Sequence, residues 1–113
     1  MNETARQPLC ALEDIPDGEA RGFTVEDDGM KKQVFVVRQG PLVFGYLNVC
    51  PHLGTPLNFR PDDFLDTETG RIVCSTHMAE FRIEDGYCLS GPCKEDSLIS
   101  FPVKVEDGLI QLA

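Results

Sequence analysis

Turn signals recur along this chain at intervals too short for any long element to fit between them. They are Pro16-Asp17-Gly18, Asp28-Gly29, Gly40-Pro41, Gly54-Thr55-Pro56, Thr69-Gly70, Asp85-Gly86, Gly91-Pro92 and Asp107-Gly108. Glycine opens the left-handed backbone region and proline fixes φ, so such pairs punctuate a chain. Between them lie short runs rich in Val, Ile, Phe and Leu, the pattern of many short antiparallel strands. The clearest is Lys32 to Arg38, and Leu42 to Asn48 is expected to pair with it across Gln39-Gly40-Pro41. Further strands are expected at Arg71 to Cys74, Phe81 to Ile83, Tyr87 to Leu89, Leu98 to Val105 and Leu109 to Leu112. Asp85-Gly86 and Asp107-Gly108 are hairpin signals. No window of helical length carries a 3.6-residue apolar stripe, and only a single helical turn is expected, near Pro61 to Leu65. The expected fold class is all-β, built of antiparallel sheets.

The chain has 113 residues, the usual size of one domain. It ends on a strand, so residues 1–113 are expected to form a single domain. Ten Lys and Arg stand against nineteen Asp and Glu, a net charge of −9. That balance argues against nucleic acid and against anionic membrane surfaces, which need basic patches. It favours association with basic partners, although a solvated, aggregation-resistant surface is the simpler reading. No stretch is long and apolar enough to cross a membrane. The first eight residues hold no apolar signal core and no Arg-Arg pair, so a cytoplasmic location is expected.

The segment from about residue 49 to 93 differs in texture. It is loop-rich, has weaker strands, and holds four of the five cysteines and both histidines. A small loop-rich part of a small domain usually needs a metal or disulfide staple. An odd number of cysteines fits a fully bridged scaffold poorly, and cysteines close to histidines read better as metal ligands. The flanking strands, from Leu9 to Asn48 and from Leu98 to Leu112, would form a base.

The two histidines each follow a cysteine closely, in Cys50-Pro51-His52 and in Cys74-Ser75-Thr76-His77. Both pairs come just after an expected strand, where the chain enters a loop. Thiolate and imidazole together suit zinc or an iron–sulfur cluster. Two Cys and two His can complete a zinc tetrahedron. The usual zinc-finger spacing, however, groups cysteine with cysteine and histidine with histidine, whereas each loop here is mixed. Mixed loops suit two irons sharing two sulfides, with each loop sending its Cys to one iron and its His to the other.

Cys50-Pro51-His52-Leu53-Gly54 and Cys74-Ser75-Thr76-His77 resemble the two cluster-binding loops of the Rieske family, whose pattern is C-x-H, a spacer, then C-x-x-H. Gly91-Pro92 resembles the family's proline loop, which covers the cluster from a third side. Phe101 to Ile110 resembles the closing hairpin of Rieske ferredoxins. The resemblance implies one Rieske-type 2Fe-2S cluster held by Cys50, His52, Cys74 and His77, in a cluster-binding subdomain inserted between base strands. It departs from the family in two places. The spacer between His52 and Cys74 holds 21 residues, a few more than is typical, with the extra length expected in the acidic stretch Asn58 to Thr69. Met78 stands where the family usually has glycine.

Further readings follow from the resemblance. Respiratory Rieske proteins join their two loops by a disulfide, and the matching positions here are Thr55 and Thr76, so that bridge is absent. Those proteins also place a serine and a tyrosine near the second loop, which donate hydrogen bonds and raise the potential. The matching positions are Ala79 and Phe81, whose side chains cannot donate. Cys88 and Cys93 flank the Gly91-Pro92 lid; two reduced cysteines packed as small hydrophobes are preferred over a disulfide, and Cys10 reads as a core residue. Asp62, Asp63, Asp66 and Glu68 read as a solvated loop before a docking surface. Leu53, Met78 and Pro92 would make a small apolar patch beside the cluster, suited to brief redox docking.

With both histidines assigned to iron, no residue is left over for an obvious acid–base or nucleophilic site. The expected function is electron transfer, not catalysis, and the chain is too short for a Rieske domain plus a catalytic iron domain. The resemblance implies partners: an NAD(P)H-dependent flavin reductase as donor and a terminal oxygenase, often an aromatic-ring-hydroxylating dioxygenase component, as acceptor. A monomer or weak oligomer is expected. The alternatives are a cluster-bearing accessory subunit of a reductase of the nitrite reductase type, and a zinc-stabilised interaction module.

Overall fold

The computed structural model describes residues 8–27, 29–49, 56–58, 62–66, 68–74, 79–91 and 96–112. Among the described residues, nine strands form three antiparallel three-stranded sheets. In chain order they are β1 (Cys10–Ala11), β2 (Ala20–Asp27), β3 (Met30–Gln39), β4 (Leu42–Leu47), β5 (Ile72–Cys74), β6 (Ala79–Phe81), β7 (Cys88–Ser90), β8 (Val103–Glu106) and β9 (Leu109–Leu112). The first sheet runs β1-β9-β8, the second β2-β3-β4 and the third β5-β6-β7. The strands of the first two sheets lie within residues 10–47 and 103–112, and those of the third within residues 72–90.

Strand β3 shows why the base holds together. Val34, Phe35, Val36 and Val37 are all buried. Successive side chains on a strand point to opposite faces. Phe35 and Val37 accordingly enter one core, with Leu57, Phe64, Ile72, Cys74 and Phe81, while Val36 enters another with Ile15 and Ile110. A strand covered on both faces reads as a continuous apolar run, as here. The closing hairpin turns on Asp107 (φ 54°) and Gly108 (φ 76°). Two consecutive positive-φ residues are the tight turn that matches strand twist.

The described residues depart from the sequence expectations in several places. Strand β2 pairs along its whole length with β3, from Ala20 opposite Val37 to Asp27 opposite Met30, and was not foreseen. The run Leu98 to Val105 is not one strand. Ser97 and Ser100 form isolated bridges with Tyr87 and Tyr46, and regular pairing begins only at Val103, after Pro102. Strand β6 lies two residues earlier than expected, because Ile83 belongs to the turn that carries Asp85-Gly86. Of the helical turn expected near Pro61 to Leu65, the described residues show none: Asp62 is left-handed (φ 65°) and Leu65 bridges Ile72.

The acidic stretch 62–70 is not merely a solvated loop. Val73 donates its N–H to the Phe64 carbonyl and Asp66 to the Arg71 carbonyl, so the stretch lies along β5. Phe64 is wholly buried and stacks on Phe35, with ring centres 4.4 Å apart and planes 8° from parallel. The Asp62 carboxylate accepts the Gly22 N–H at 2.7 Å, which ties the stretch to β2.

Candidate metal centre

Of the four candidate ligands, Cys74 lies among the described residues; Cys50, His52 and His77 lie outside them. Cys74 is wholly buried at the end of β5 and stands opposite Ala79, the first residue of β6. Residues 75–78, with His77 among them, lie outside the described residues. The pairing of Cys74 with Ala79 holds the residues on either side of that candidate ligand segment. A β-bulge follows at Glu80/Phe81, where β6 pairs with β7. Bulges of this kind re-aim a strand and cluster beside functional sites.

The first ligand loop leaves β4 at Leu47. Asn48 donates its backbone N–H to the Gln33 carbonyl of β3 at 2.8 Å. Its side chain accepts the Leu57 N–H at 2.8 Å and donates to the Asn58 side chain at 2.9 Å. Among the described residues Asn48 is the buried polar side chain. Leu57, beyond the loop, is wholly buried in the same core as Cys74 and Ala79. The chain on both sides of Cys50-Pro51-His52 is thus anchored in the core that also holds the base of the second loop.

The third segment starts at Gly91 (φ 101°). A Cβ built there would sit 2.7 Å from the Ala79 Cα and 2.9 Å from its Cβ. Glycine and alanine, the two smallest residues, let the start of the lid segment lie against the second ligand hairpin. Pro92 itself falls outside the described residues, as do Leu53, Met78, Thr55, Thr76 and Cys93. Cys88 is wholly buried, and its thiol donates to the Ser90 carbonyl at 3.2 Å. Cys10 is half-buried at the edge of the second core, with its thiol pKa raised mainly by burial.

Tyr46 joins the base to the third sheet. Its hydroxyl donates to the Ile83 carbonyl, and its ring sits 5.8 Å from that of Phe35. Burial, with the charges of Asp85 and Glu84 adding, pushes its pKa up to about 12, so the hydroxyl keeps its proton as a donor. Gly86 passes directly over the Tyr46 ring, where a Cβ would come within 2.8 Å.

These features fit a cluster bound by thiolate and imidazole. A thiol is buried at a strand end, the residues flanking both Cys-His pairs are held in one core, and Gly91 lies against Ala79. The sequence did not single out Asn48, Gly91 as a seat for Ala79, or Phe64. A polar residue between Leu47 and Val49, just before a ligand, was the available signal for the first.

Comparison with known proteins agrees with this geometry. The chain is 32% identical over 102 residues to the ferredoxin component of the alkene monooxygenase system of Xanthobacter autotrophicus, covering 90% of this chain and 75% of that protein. The fold matches the Sphingomonas yanoikuyae B1 ferredoxin, with a TM-score of 0.69 and 27% identity over 96% of this chain and 97% of that one. It also matches a chain in the complex of reduced oxygenase and oxidized ferredoxin in carbazole 1,9a-dioxygenase, with a TM-score of 0.71 and 27% identity over 95% of this chain and 91% of that one. The Rieske [2Fe-2S] domain model matches residues 5–104, and the chain belongs to that family.

Proposed function

We propose that this protein is a ferredoxin that carries one electron on a Rieske-type 2Fe-2S cluster, from a flavin reductase to a terminal oxygenase. The proposed ligands are Cys50 and Cys74 to one iron and His52 and His77 to the other. The observation that carries the reading is the likeness, over 90% of the chain, to a ferredoxin component of an oxygenase system. When bound, the cluster supplies a one-electron centre whose potential is set by ligand charge, hydrogen bonds to sulfur and solvent exposure. The chain's own contribution is to fix the loop bases: β5 and β6 for the second pair, Asn48 and Leu57 for the first. Two of the four proposed ligands are imidazoles, which would bring less negative charge to the irons than a four-thiolate site. The zinc-module alternative does not fit the match to a 2Fe-2S family. The family and fold comparisons fit a free-standing ferredoxin better than a reductase subunit. A cytoplasmic setting is part of the proposal; among the described residues no helix is long and apolar enough to cross a membrane.

Anaerobically purified protein is expected to be red-brown and to contain two irons and two sulfides per chain. Its reduced form should give an electron spin resonance signal averaging below the free-electron value. Stoichiometric zinc without visible absorption would overturn the assignment.

A further inference from the structure

We propose that Asn48 is a positioning residue for the first ligand loop, closing residues 49–56 into a loop of fixed width so that Cys50 and His52 are presented together. The inference rests on the ligand assignment above and goes beyond it. Three contacts carry it. The backbone N–H of Asn48 is held by Gln33 of β3, in the most buried strand of the base. Its side-chain oxygen takes the N–H of Leu57, a residue wholly buried on the far side of the loop. Its side-chain nitrogen donates to the Asn58 side-chain oxygen Oδ1 at 2.9 Å, one residue further on. One amide group therefore bridges the chain entering the loop and the chain leaving it.

The physical case is one of loop closure and satisfaction of buried polar groups. Holding the ends of a loop together removes conformational freedom that would otherwise be lost when the ligands bind metal. Among the described residues no strand pairing joins the two ends of this loop, and a side chain makes the bridge. In the second ligand loop the Cys74–Ala79 strand pair does that work. The two ligand loops thus have different closures, a backbone ladder for one and a single buried amide for the other. Removing the amide leaves the buried Leu57 N–H without its acceptor, and a buried donor left unsatisfied costs more than a hydrogen bond contributes.

The experiment uses the purified holoprotein with three variants, Asn48→Ala, Asn48→Asp and Asn58→Ala. Asn48→Asp keeps an oxygen for the Leu57 N–H, and its second oxygen can accept from the Asn58 amide once that group turns over. Three quantities are read: the rate of cluster release to an excess of iron chelator, the linewidths of the reduced electron spin resonance signal, and amide exchange in β3. Asn48→Ala should release its cluster on the order of tenfold faster, the factor that ~1.4 kcal/mol represents, with broadened resonance lines and unchanged β3 exchange. Asn58→Ala should change the rate by less than about threefold, since Leu57 keeps its acceptor, and Asn48→Asp should recover most of the loss. Release within about twofold of wild type in Asn48→Ala overturns the proposal. So does β3 exchange that accelerates by the same factor as release, which would mark a general loosening. Wild-type protein that holds zinc and no sulfide removes the ligand assignment and this inference with it. A normal wild-type cluster with an indifferent Asn48→Ala removes this inference alone.

Discussion

Ala79 and Phe81 are both wholly buried in the core that contains Cys74, and neither offers a side-chain donor. Hydrogen bonds to the sulfurs of a cluster withdraw electron density and raise its potential. A protein without them is expected low in the Rieske range, which runs from about −150 to +300 mV, and here in roughly its lowest third. Cyclic voltammetry at neutral pH checks this, and a value near +300 mV would contradict it. The Ala79 Cβ looks onto Gly91. A hydroxyl added at residue 79 would thus be introduced at the close contact between β6 and Gly91. The double variant Ala79→Ser, Phe81→Tyr should therefore raise the potential; an unchanged value would mean these positions lie out of reach of the cluster. At this scale the sequence was informative where chemistry is local. The two Cys-His pairs could be proposed as ligands because ligand type and order are written in adjacent letters. Asn48 was silent because its role depends on Leu57 and Asn58, nine and ten residues away, and a buried amide spells the same as a turn asparagine.

Among the elements, the stretch 62–70 changes most between letter and fold. Its letters, Asp62-Asp63-Phe64-Leu65-Asp66, are dominated by charge, and charge reads as solvent. Folded, it presents Phe64 to the core, bridges Leu65 to Ile72 and offers the Asp62 carboxylate to β2. Phe64 is the apolar contact that, beside the Asp62–Gly22 hydrogen bond, fastens the spacer to the base, through the stack on Phe35. Phe64→Ala should cost about 3–5 kcal/mol, the usual penalty for emptying a buried phenylalanine site. Urea unfolding measures it. Because Gly22 packs its Cα side against the Phe64 ring, with a Cβ there coming within 3.2 Å, the site has little room to collapse. A loss below about 1 kcal/mol would show that the spacer is not fastened in this way. Strand β2 was missed for a related reason. Ala20-Arg21-Gly22-Phe23-Thr24-Val25-Glu26-Asp27 mixes a glycine and three charges into its alternation, and its pairing is dictated by β3, not by its own composition. Turns were the most legible elements, because Asp107-Gly108 specifies its backbone conformation within two residues.

Over the whole molecule, charge is the property that reaches furthest. The net charge is −9, and an oxidised cluster whose +2 core is offset by two thiolates would leave it there, with reduction adding one more negative charge. Among the described residues, several cations are already matched: Arg71 with Glu80, Arg82 with Asp85 and Lys104 with Glu106. Pairing takes one anion with each cation, so the excess of nine acidic residues remains on the other carboxylates. Asp14, Glu19, Asp62, Asp63 and Asp66, with Arg21 among them, line a cleft of about 630 Å³ between the N-terminal segment and the 62–70 stretch. The molecule spans 44 × 30 × 23 Å. At about 0.01 M salt the screening length is about 30 Å, so nearly all of these charges act together on an approaching basic reductase. At physiological salt it is about 8 Å, and only charges on the docking face still act. Electrostatic steering therefore predicts that the bimolecular rate of reduction by the reductase falls by roughly tenfold between those two conditions. Stopped-flow reduction across that range measures the slope. A small apolar docking patch beside the cluster, built on Leu53, Met78 and Pro92, would make the rate nearly independent of salt, since burial of apolar surface is not screened. The two forces leave opposite signatures in one titration. A flat salt profile would assign recognition to the apolar rim, and a steep one to the acidic surface, whose charge is greater in the reduced form that must leave the donor.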